Sequence, residues 1–168
     1  MKKEQNPAEI TIKRIGGYLH RVVPILDEAG NVISHSLKPF MVEFRLRDLM
    51  QVIVGASLLA IPVAFTEEVW KLSTELPMAN VLGLSALSLL FIGLFVFFNF
   101  YRFHLGKHWL EYCKRVIMTY VISLLVVALL LWIIQRCPWS TEPMVAIKRI
   151  LIVAFPASMS AAVSDVLK

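Results

Sequence analysis

The sequence is poor in charge, since Asp, Glu, Lys and Arg make up only 17% of its 168 residues, against about 25% in an ordinary soluble protein. Hydrophobic residues make up 58%, and the mean hydropathy is +0.70. A soluble domain of this size has too much surface for its volume to hide so many apolar side chains. The shortage of charge therefore excludes a soluble enzyme and a disordered regulator, and it indicates a protein that crosses a membrane several times.

Cysteine is also scarce, because only Cys113 and Cys137 are present. They lie at opposite ends of one apolar run, where a helix would hold them more than about 30 Å apart, so they cannot form a disulfide within one chain. This excludes a disulfide scaffold and a thiol–disulfide oxidoreductase. We expect no signal peptide, because residues 1–40 carry several charges and lack an apolar core of sufficient length.

Motifs that carry chemistry are missing as well. No apolar run holds the repeated arginines of a voltage sensor or a paired nucleophile and base, and no basic stripe with interleaved aromatics indicates nucleic-acid binding. His104 and His108, followed by Glu111, have the spacing of a zinc site on one helix face, but a solvated loop helix is the favoured interpretation. We predict no enzyme activity, no metal and no cofactor.

Four apolar stretches are each long enough to cross about 30 Å of hydrocarbon. They place the spans at about residues 48–70, 81–103, 115–135 and 143–167. The last begins after Ser140-Thr141-Glu142-Pro143, a typical helix start with a capping hydroxyl and an early proline. The sequence therefore predicts an all-α membrane protein whose four-helix transmembrane domain occupies residues 48–168.

The N-terminal segment, residues 1–47, is polar and contains no run of membrane length. Two β-prone stretches, Arg21–Leu26 and Val32–Leu37, flank the turn-forming residues 27–31. We predict a small β-hairpin there. Gly16-Gly17 is interpreted as a flexible joint rather than a phosphate-binding loop.

Lysine and arginine are unevenly distributed between the loops. Eight precede the first span, and Lys168 follows the last span. Four lie in or beside the connection between the second and third spans: Arg102, Lys107, Lys114 and Arg115. The opposite side carries only Lys71, Arg136, Lys148 and Arg149. Because cytoplasmic loops carry an excess of these residues, both termini are predicted to be cytoplasmic.

The first and fourth spans each carry a face of small and polar residues. At 100° per residue, these faces comprise Ala56, Ser57, Ala60 and Ala64, leading to Glu67 and Glu68, and then Ala154, Ser158, Ala161 and Asp165. Small residues let two helices pack closely. Alternatively, serines and the carbonyls freed by Pro62 and Pro156 line a water-filled path. Under both interpretations these faces are shielded from lipid.

The carboxylates of these faces also have two interpretations each. Glu67 and Glu68 either pair with Lys148 or Arg149 at the outer interface, or form a ring from several subunits that attracts cations to a pore mouth. Asp165 either pairs with Arg47 or Arg115 at the inner surface, or lies at the inner end of a pathway.

Two segments resemble a known family. They are the run Ile53-Val54-Gly55-Ala56-Ser57 through Pro62-Val63-Ala64-Phe65-Thr66-Glu67-Glu68-Val69-Trp70, followed by Leu76-Pro77, and the late Phe155-Pro156-Ala157-Ser158 with its Ser164-Asp165 ending. Both are similar to an uncharacterised prokaryotic family of integral membrane proteins of unknown function. The resemblance covers residues 38–168. It implies a multi-pass protein of a prokaryotic inner membrane with the four-span fold, and it transfers no activity or site residue.

The sequence favours a homo-oligomeric ion channel or ion-conducting protein, because four helices alone seldom enclose a pathway while polar faces need burial. In this hypothesis Glu67 and Glu68 attract cations at the outer mouth, Ser57 and Ser158 line the pathway, and Asp165 lies at its inner end. The alternatives are a small-solute or ion-coupled transporter acting as a dimer, and a non-transporting scaffold whose N-terminal segment recruits a partner.

Overall fold

The computed structural model describes residues 11–15, 18–27, 32–39, 44, 46–101 and 109–167. The chain divides into two compact units, Met1–Glu43 and Phe44–Lys168. The first contains the described strands, and the second contains the described helices. The predicted fold class, a helical membrane protein with a small N-terminal β-structure, is confirmed.

The first unit contains an antiparallel sheet in the order β1-β2-β3. Its strands are β1 (Thr11–Ile15), β2 (Tyr18–Leu26) and β3 (Val32–Pro39). β2 and β3 form the predicted hairpin. β1 was not predicted, and it pairs with β2 from Thr11↔Val22 to Ile15↔Tyr18. Gly16 and Gly17 lie outside the described residues. In a sequence, however, two glycines between two β-prone stretches are a strong hairpin signal. This pair could therefore have predicted the extra strand.

The second unit consists of helices joined by short connections. They are α1 (Leu46–Ala64), α2 (Glu67–Glu75), α3 (Met78–Val96), α4 (Trp109–Ile133) and α5 (Pro143–Val166), and α3 continues as a π-helical segment, Phe97–Tyr101. Within the described residues, four helical stretches are long and apolar enough to cross a membrane: α1, α3 with its π-helical segment, α4 and α5.

The first span is shorter than predicted, because the helix ends at Ala64 and does not continue to Trp70. Pro62 has no N–H to donate within the helix, and tight turns follow, in which the backbone N–H of Thr66 donates to the carbonyl of Val63 at 3.1 Å. Thr66 itself is extended, with φ −87° and ψ 141°. Glu67 therefore begins a separate helix, α2, where a carboxylate in the first turn is favoured by the helix dipole.

The small-residue faces of α1 and α5 lie in the core of the bundle. All their alanines and Ser158 are fully buried, namely Ala56, Ala60, Ala64, Ala154, Ser158 and Ala161. The two backbones approach so closely that a Cβ added at Gly55 would lie 2.9 Å from the Cα of Ala161. Large apolar side chains such as Leu58, Leu90 and Leu125 are exposed instead, as expected for a surface that faces lipid. The predicted shielding is confirmed for these alanines, Ser158 and Asp165, whereas Ser57 is half-buried and Glu67 and Glu68 are exposed.

Candidate functional site

Three charged side chains from three helices meet at one end of the bundle. Arg115 of α4 donates from Nε to Asp165 Oδ2 at 2.7 Å and from Nη2 to Asp165 Oδ1 at 2.9 Å. The same Nη2 donates to Asp48 Oδ2 of α1 at 3.3 Å. Their side chains are 0%, 1% and 2% exposed for Arg115, Asp165 and Asp48. We call Asp48, Arg115 and Asp165 the charge network.

The helix termini explain part of this arrangement. Asp48 lies in the first turn of α1, where the helix dipole stabilises an anion, whereas Asp165 lies in the last turn of α5, where the dipole opposes one. Asp165 therefore needs a cation more than Asp48 does, and it receives both of the shorter hydrogen bonds from Arg115.

Aromatic residues complete the surroundings of Arg115. Its Cζ lies 3.9 Å from the ring centroid of Phe100 and 5.8 Å from that of Phe44. Phe100 and the buried Tyr101 belong to the π-helical segment, a widening of the helix that is often found at functional sites. This segment places the ring of Phe100 against the guanidinium, and a cation desolvated against a ring face gains a favourable electrostatic interaction.

One line of buried residues along α4 is polar near the charge network and apolar beyond it, and it is flanked by the buried Val116 and Ile122. At steps of four residues it carries Arg115, Thr119, Ser123, Val127 and Leu131, all 0% exposed. Ser123 Oγ donates to the carbonyl of Thr119 at 2.8 Å, while Thr119 Oγ1 has no hydrogen-bond partner in the described part of the chain. The polar part, Arg115 to Ser123, extends over about 12 Å of helix.

A second pair of buried hydroxyls belongs to α3 and α5. Ser88 and Ser158 are both 0% exposed and hydrogen-bond to each other. Ser158 also interacts with the carbonyl of Phe155 at 3.0 Å. Ser158 therefore lies inside its own protomer. We call these two pairs of buried residues, Thr119 with Ser123 and Ser88 with Ser158, the polar ladder.

The structure does not bring the remaining predicted pathway residues to this site. Ser57 is half-buried and donates to the carbonyl of Ile53 in its own helix at 2.8 Å. Glu67 and Glu68 are exposed at the start of α2. Of the two partners expected for Asp165, Arg115 is the one that binds it.

The cations at the opposite end have neutral partners. Lys148 Nζ donates to the carbonyl of Leu76 at 2.8 Å. Arg149 donates from Nε to Ser73 Oγ at 3.1 Å and from Nη1 to the carbonyl of Arg136 at 2.8 Å. Among the described residues, no ion pair joins Lys148 or Arg149 to Glu67 or Glu68, so the expected outer ion pairs are not formed there.

Two of these cations also share one aromatic ring. The Cζ atoms of Arg149 and Arg136 lie 5.0 Å and 5.4 Å from the ring centroid of Trp70. Burial raises the pKa of the nearby Cys137 thiol, and the positive charge of Arg149 opposes this effect. We call Arg136, Lys148 and Arg149, together with Trp70, the outer cation cluster, because the predicted orientation places these residues at the outer surface.

Two further features, the histidine pair and a surface groove, do not form a binding site in the described residues. His104 and His108 lie outside the described residues, and within the described ranges no group of three His, Cys, Asp or Glu side chains could hold a metal ion. A surface groove of about 370 Å³ between α3 and α5 is lined by apolar residues that include Phe91, Phe98 and Met159. It offers no polar group that could orient a solute.

Sequence reasoning missed several residues of the charge network and polar ladder. Asp48 and Arg115 lie at the first residues of the predicted spans. Asp48 was given no role, and Arg115 was counted among the loop cations and named as one possible partner of Asp165. Ser88 and Thr119 lie within long apolar runs whose buried face the sequence does not define. The i, i+4, i+8 spacing of Arg115, Thr119 and Ser123 is the signal that could have identified the polar face of α4.

The comparisons with known proteins agree with the membrane fold. The family described as "Putative integral membrane protein (DUF2391)" matches residues 27–167. This range includes all four membrane-spanning helices. No curated protein and no solved structure matches the chain. The resemblance found in the sequence is confirmed.

Proposed function

The chain belongs to this family of integral membrane proteins, and from that premise we propose that it is an ion-coupled transporter that moves protons or small cations through the interior of its own helix bundle. The family description states no activity, so the proposal depends on the site. The observation that carries it is the buried polar face of α4, where Thr119 and Ser123 follow the charge network.

The first argument is the position of the charges. A buried ion pair generally adds little stability compared with well-packed apolar residues of the same volume. Asp48, Arg115 and Asp165 nevertheless lie on three different membrane-spanning helices, and each is at most 2% exposed. Ionisable side chains within membrane helices typically mark ion or proton pathways. A role in ion movement explains why charged residues occupy positions that packing alone would give to leucine.

The second argument is the chemistry of the polar ladder. A hydroxyl can donate one hydrogen bond and accept two, so a series of hydroxyls can pass on a proton or replace part of a cation's hydration shell. Thr119 Oγ1 is buried and has no hydrogen-bond partner among the described residues. This oxygen lies one helical turn beyond Arg115 and is the first candidate to receive a proton or coordinate a cation beyond the charge network.

The third argument concerns the other half of the bundle. Beyond Ser123 the buried face of α4 continues with Val127 and Leu131, and Val153 of α5 is also 0% exposed. Dry, close-packed apolar side chains exclude ions. An ion would therefore cross this half only after helices move, which favours a transporter over a permanently open channel. Pro156, inside α5, removes a backbone hydrogen bond there and makes such a movement easier.

The hypothesis of a pore between subunits is less well supported. Ser158 and the alanines of α1 and α5 are buried within one protomer, so these faces are not available to line an axis between copies. A homo-oligomer, cytoplasmic termini and a prokaryotic inner membrane remain predictions. So does a cation-attracting role for Glu67 and Glu68, whose exposed position suits a surface field rather than a binding site.

A flux measurement with a conservative variant tests the proposal. The purified protein is reconstituted in liposomes that contain a pH-sensitive dye, and proton, Na⁺ and K⁺ gradients are applied in turn. We expect Thr119→Val to slow the flux by at least about tenfold, as for the loss of one positioned proton-transfer group. The helices should remain folded, because Thr119 Oγ1 gives up no hydrogen bond.

The matched control is Thr74→Val on α2, where the threonine is exposed and hydrogen-bonds only within its own helix. This variant should conduct like the unmodified protein. Wild-type flux equal to that of empty liposomes, or equal flux for Thr119→Val and the unmodified protein, would refute the proposal. Absence of flux together with loss of a partner on removal of residues 1–37 would favour the scaffold.

A further inference from the structure

We propose that the outer cation cluster binds a phosphate group at the membrane surface, supplied either by an anionic phospholipid or by free phosphate. This site lies at the opposite end of α5 from the charge network, since Arg149 is in its second turn and Asp165 in its last. The inference is independent of ion transport, because no residue of the charge network or polar ladder takes part in it.

The first observation is that three basic side chains have no carboxylate partner. Arg136 and Arg149 share the ring of Trp70, and Lys148 precedes Arg149 in α5. Within the described part of the chain none of the three forms an ion pair. At the charge network, by contrast, Arg115 binds two carboxylates. Two guanidinium groups that share the ring of Trp70 repel each other, and an anion between them would remove this repulsion.

The second observation is that the cluster is held in place. Ser73 is 0% exposed, donates to the carbonyl of Trp70 at 2.7 Å and accepts a hydrogen bond from Arg149 Nε at 3.1 Å. Arg149 Nη1 reaches the carbonyl of Arg136 at 2.8 Å. These contacts fix the guanidinium of Arg149 before any ligand arrives, which lowers the entropic cost of binding.

The third observation is the number of hydrogen-bond donors that remain. Arg149 uses Nε and one Nη1 proton, so three of its five N–H groups remain. The guanidinium of Arg136 donates no hydrogen bond within the described ranges and is exposed. Lys148 Nζ donates to one carbonyl and retains two protons. A planar guanidinium matches two phosphate oxygens at once, and a lysine adds a point charge.

The position suits a membrane surface. The cluster lies where α4 ends at Ile133 and α5 begins at Pro143, and Trp70 is a residue type that anchors proteins at the level of lipid headgroups. The acidic side chains of α2 and of the start of α5 are exposed, and within the described residues none forms an ion pair with the cluster: Glu67, Glu68, Glu75 and Glu142.

Binding to the detergent-purified full chain tests the proposal with three probes: short-chain phosphatidylglycerol, phosphatidylcholine with the same acyl chains, and inorganic phosphate. We expect phosphatidylglycerol or phosphate to bind, and phosphatidylcholine to bind more weakly than phosphatidylglycerol. Arg136→Gln should weaken binding by about tenfold, the range for a lost charge-assisted hydrogen bond. The variant should fold normally, because the side chain of Arg136 is exposed.

The matched control is Lys71→Gln, which removes the same charge from an exposed cation of α2 and should change the affinity by less than about twofold, since exposed charges contribute little. Binding of phosphatidylglycerol alone assigns the site to a lipid, and Arg136-dependent binding of inorganic phosphate assigns it to a free anion. Equal losses for Lys71→Gln and Arg136→Gln would overturn the proposal. So would equal affinity for both lipids with no binding of phosphate.

Discussion

The two ends of the helix bundle satisfy their arginines in different ways. Arg115 is fully buried and binds the carboxylates of Asp48 and Asp165, whereas Arg149 is half-buried and donates to a serine hydroxyl and a backbone carbonyl. The difference reflects burial. A cation removed from water needs opposite charge, because a neutral acceptor does not replace its hydration, whereas a cation at the interface keeps part of its hydration.

The same contrast continues along α4. Its buried face is polar from Arg115 to Ser123 and apolar from Val127 to Leu131. One half of the bundle interior can therefore accommodate an ion, and the other half excludes it. The proposed transport depends on this asymmetry, so the most informative variants are those that separate the two ends or the two halves.

The largest effect on stability is expected at the charge network. Arg115→Met leaves two buried carboxylates without this partner and should lower the free energy of unfolding by about 3–5 kcal/mol, measured by denaturant unfolding in detergent. Adding Asp165→Leu should recover part of this loss, because it removes one of the two buried carboxylates that Arg115 binds. Arg149→Met, at the other end, should cost only about 1–2 kcal/mol. An equal or larger cost for Arg149→Met would show that burial does not determine the contribution of the two arginines to stability.

The next effect concerns the close approach of α1 and α5 beside the network. A Cβ at Gly55 would lie 2.9 Å from the Cα of Ala161, so Gly55→Ala must separate the helices and should cost about 1–3 kcal/mol. Gly83→Ala is the matched control, since nothing lies within 4 Å of the added Cβ, and it should stabilise α3 by about 0.5–1 kcal/mol. Thermal unfolding of the two variants tests this difference. Melting temperatures that shift in the same direction for both variants would contradict the packing described.

A smaller effect is expected where Ser73 supports the outer cation cluster. Ser73→Ala removes the acceptor of Arg149 Nε and should cost about 1 kcal/mol. Ser85→Ala, which removes a half-buried hydroxyl that bonds only its own helix, should cost about 0.5 kcal/mol or less. Denaturant unfolding compares the two serines. A cost for Ser85→Ala that matches Ser73→Ala would mean that the contact with Arg149 contributes nothing.

The smallest effect is expected for the exposed carboxylates. Combining Glu67→Gln with Glu68→Gln should change the free energy of unfolding by less than about 0.5 kcal/mol. It should reduce cation flux in liposomes only at low ionic strength, because salt screens exposed charges. A reduction that persists in high salt would instead favour the carboxylate ring at a pore mouth.

The fold was largely predictable because four long apolar runs leave few alternatives in a membrane. The end of the first span was not predictable from the sequence. Residues 62–70 are compatible both with a helix that Pro62 kinks and with a helix that ends there. β1 was missed because Thr11–Ile15 lacks clean alternation, and only its two-residue connection to β2 indicated a strand.

The candidate site was predictable only in part. The pairing of Asp165 with Arg115 was among the interpretations offered, because orientation places both residues at one membrane surface. The participation of Asp48 in the charge network was not predicted, because a charged residue beside an apolar run can equally mark the boundary of a membrane span. Ser88 lies in a helix that is apolar on every side, so only the packed structure shows that it faces Ser158.

Accessibility of the bundle interior tests the transport account most directly. In a background where Cys113 and Cys137 are replaced by alanine, Thr119→Cys and Val127→Cys place single thiols in the polar and the apolar half of the same helix face. A cationic, membrane-impermeant thiol reagent added on the side of the charge network should modify Thr119→Cys and leave Val127→Cys unmodified. No reaction of Thr119→Cys from either side, or equal reaction of both variants, would contradict the account.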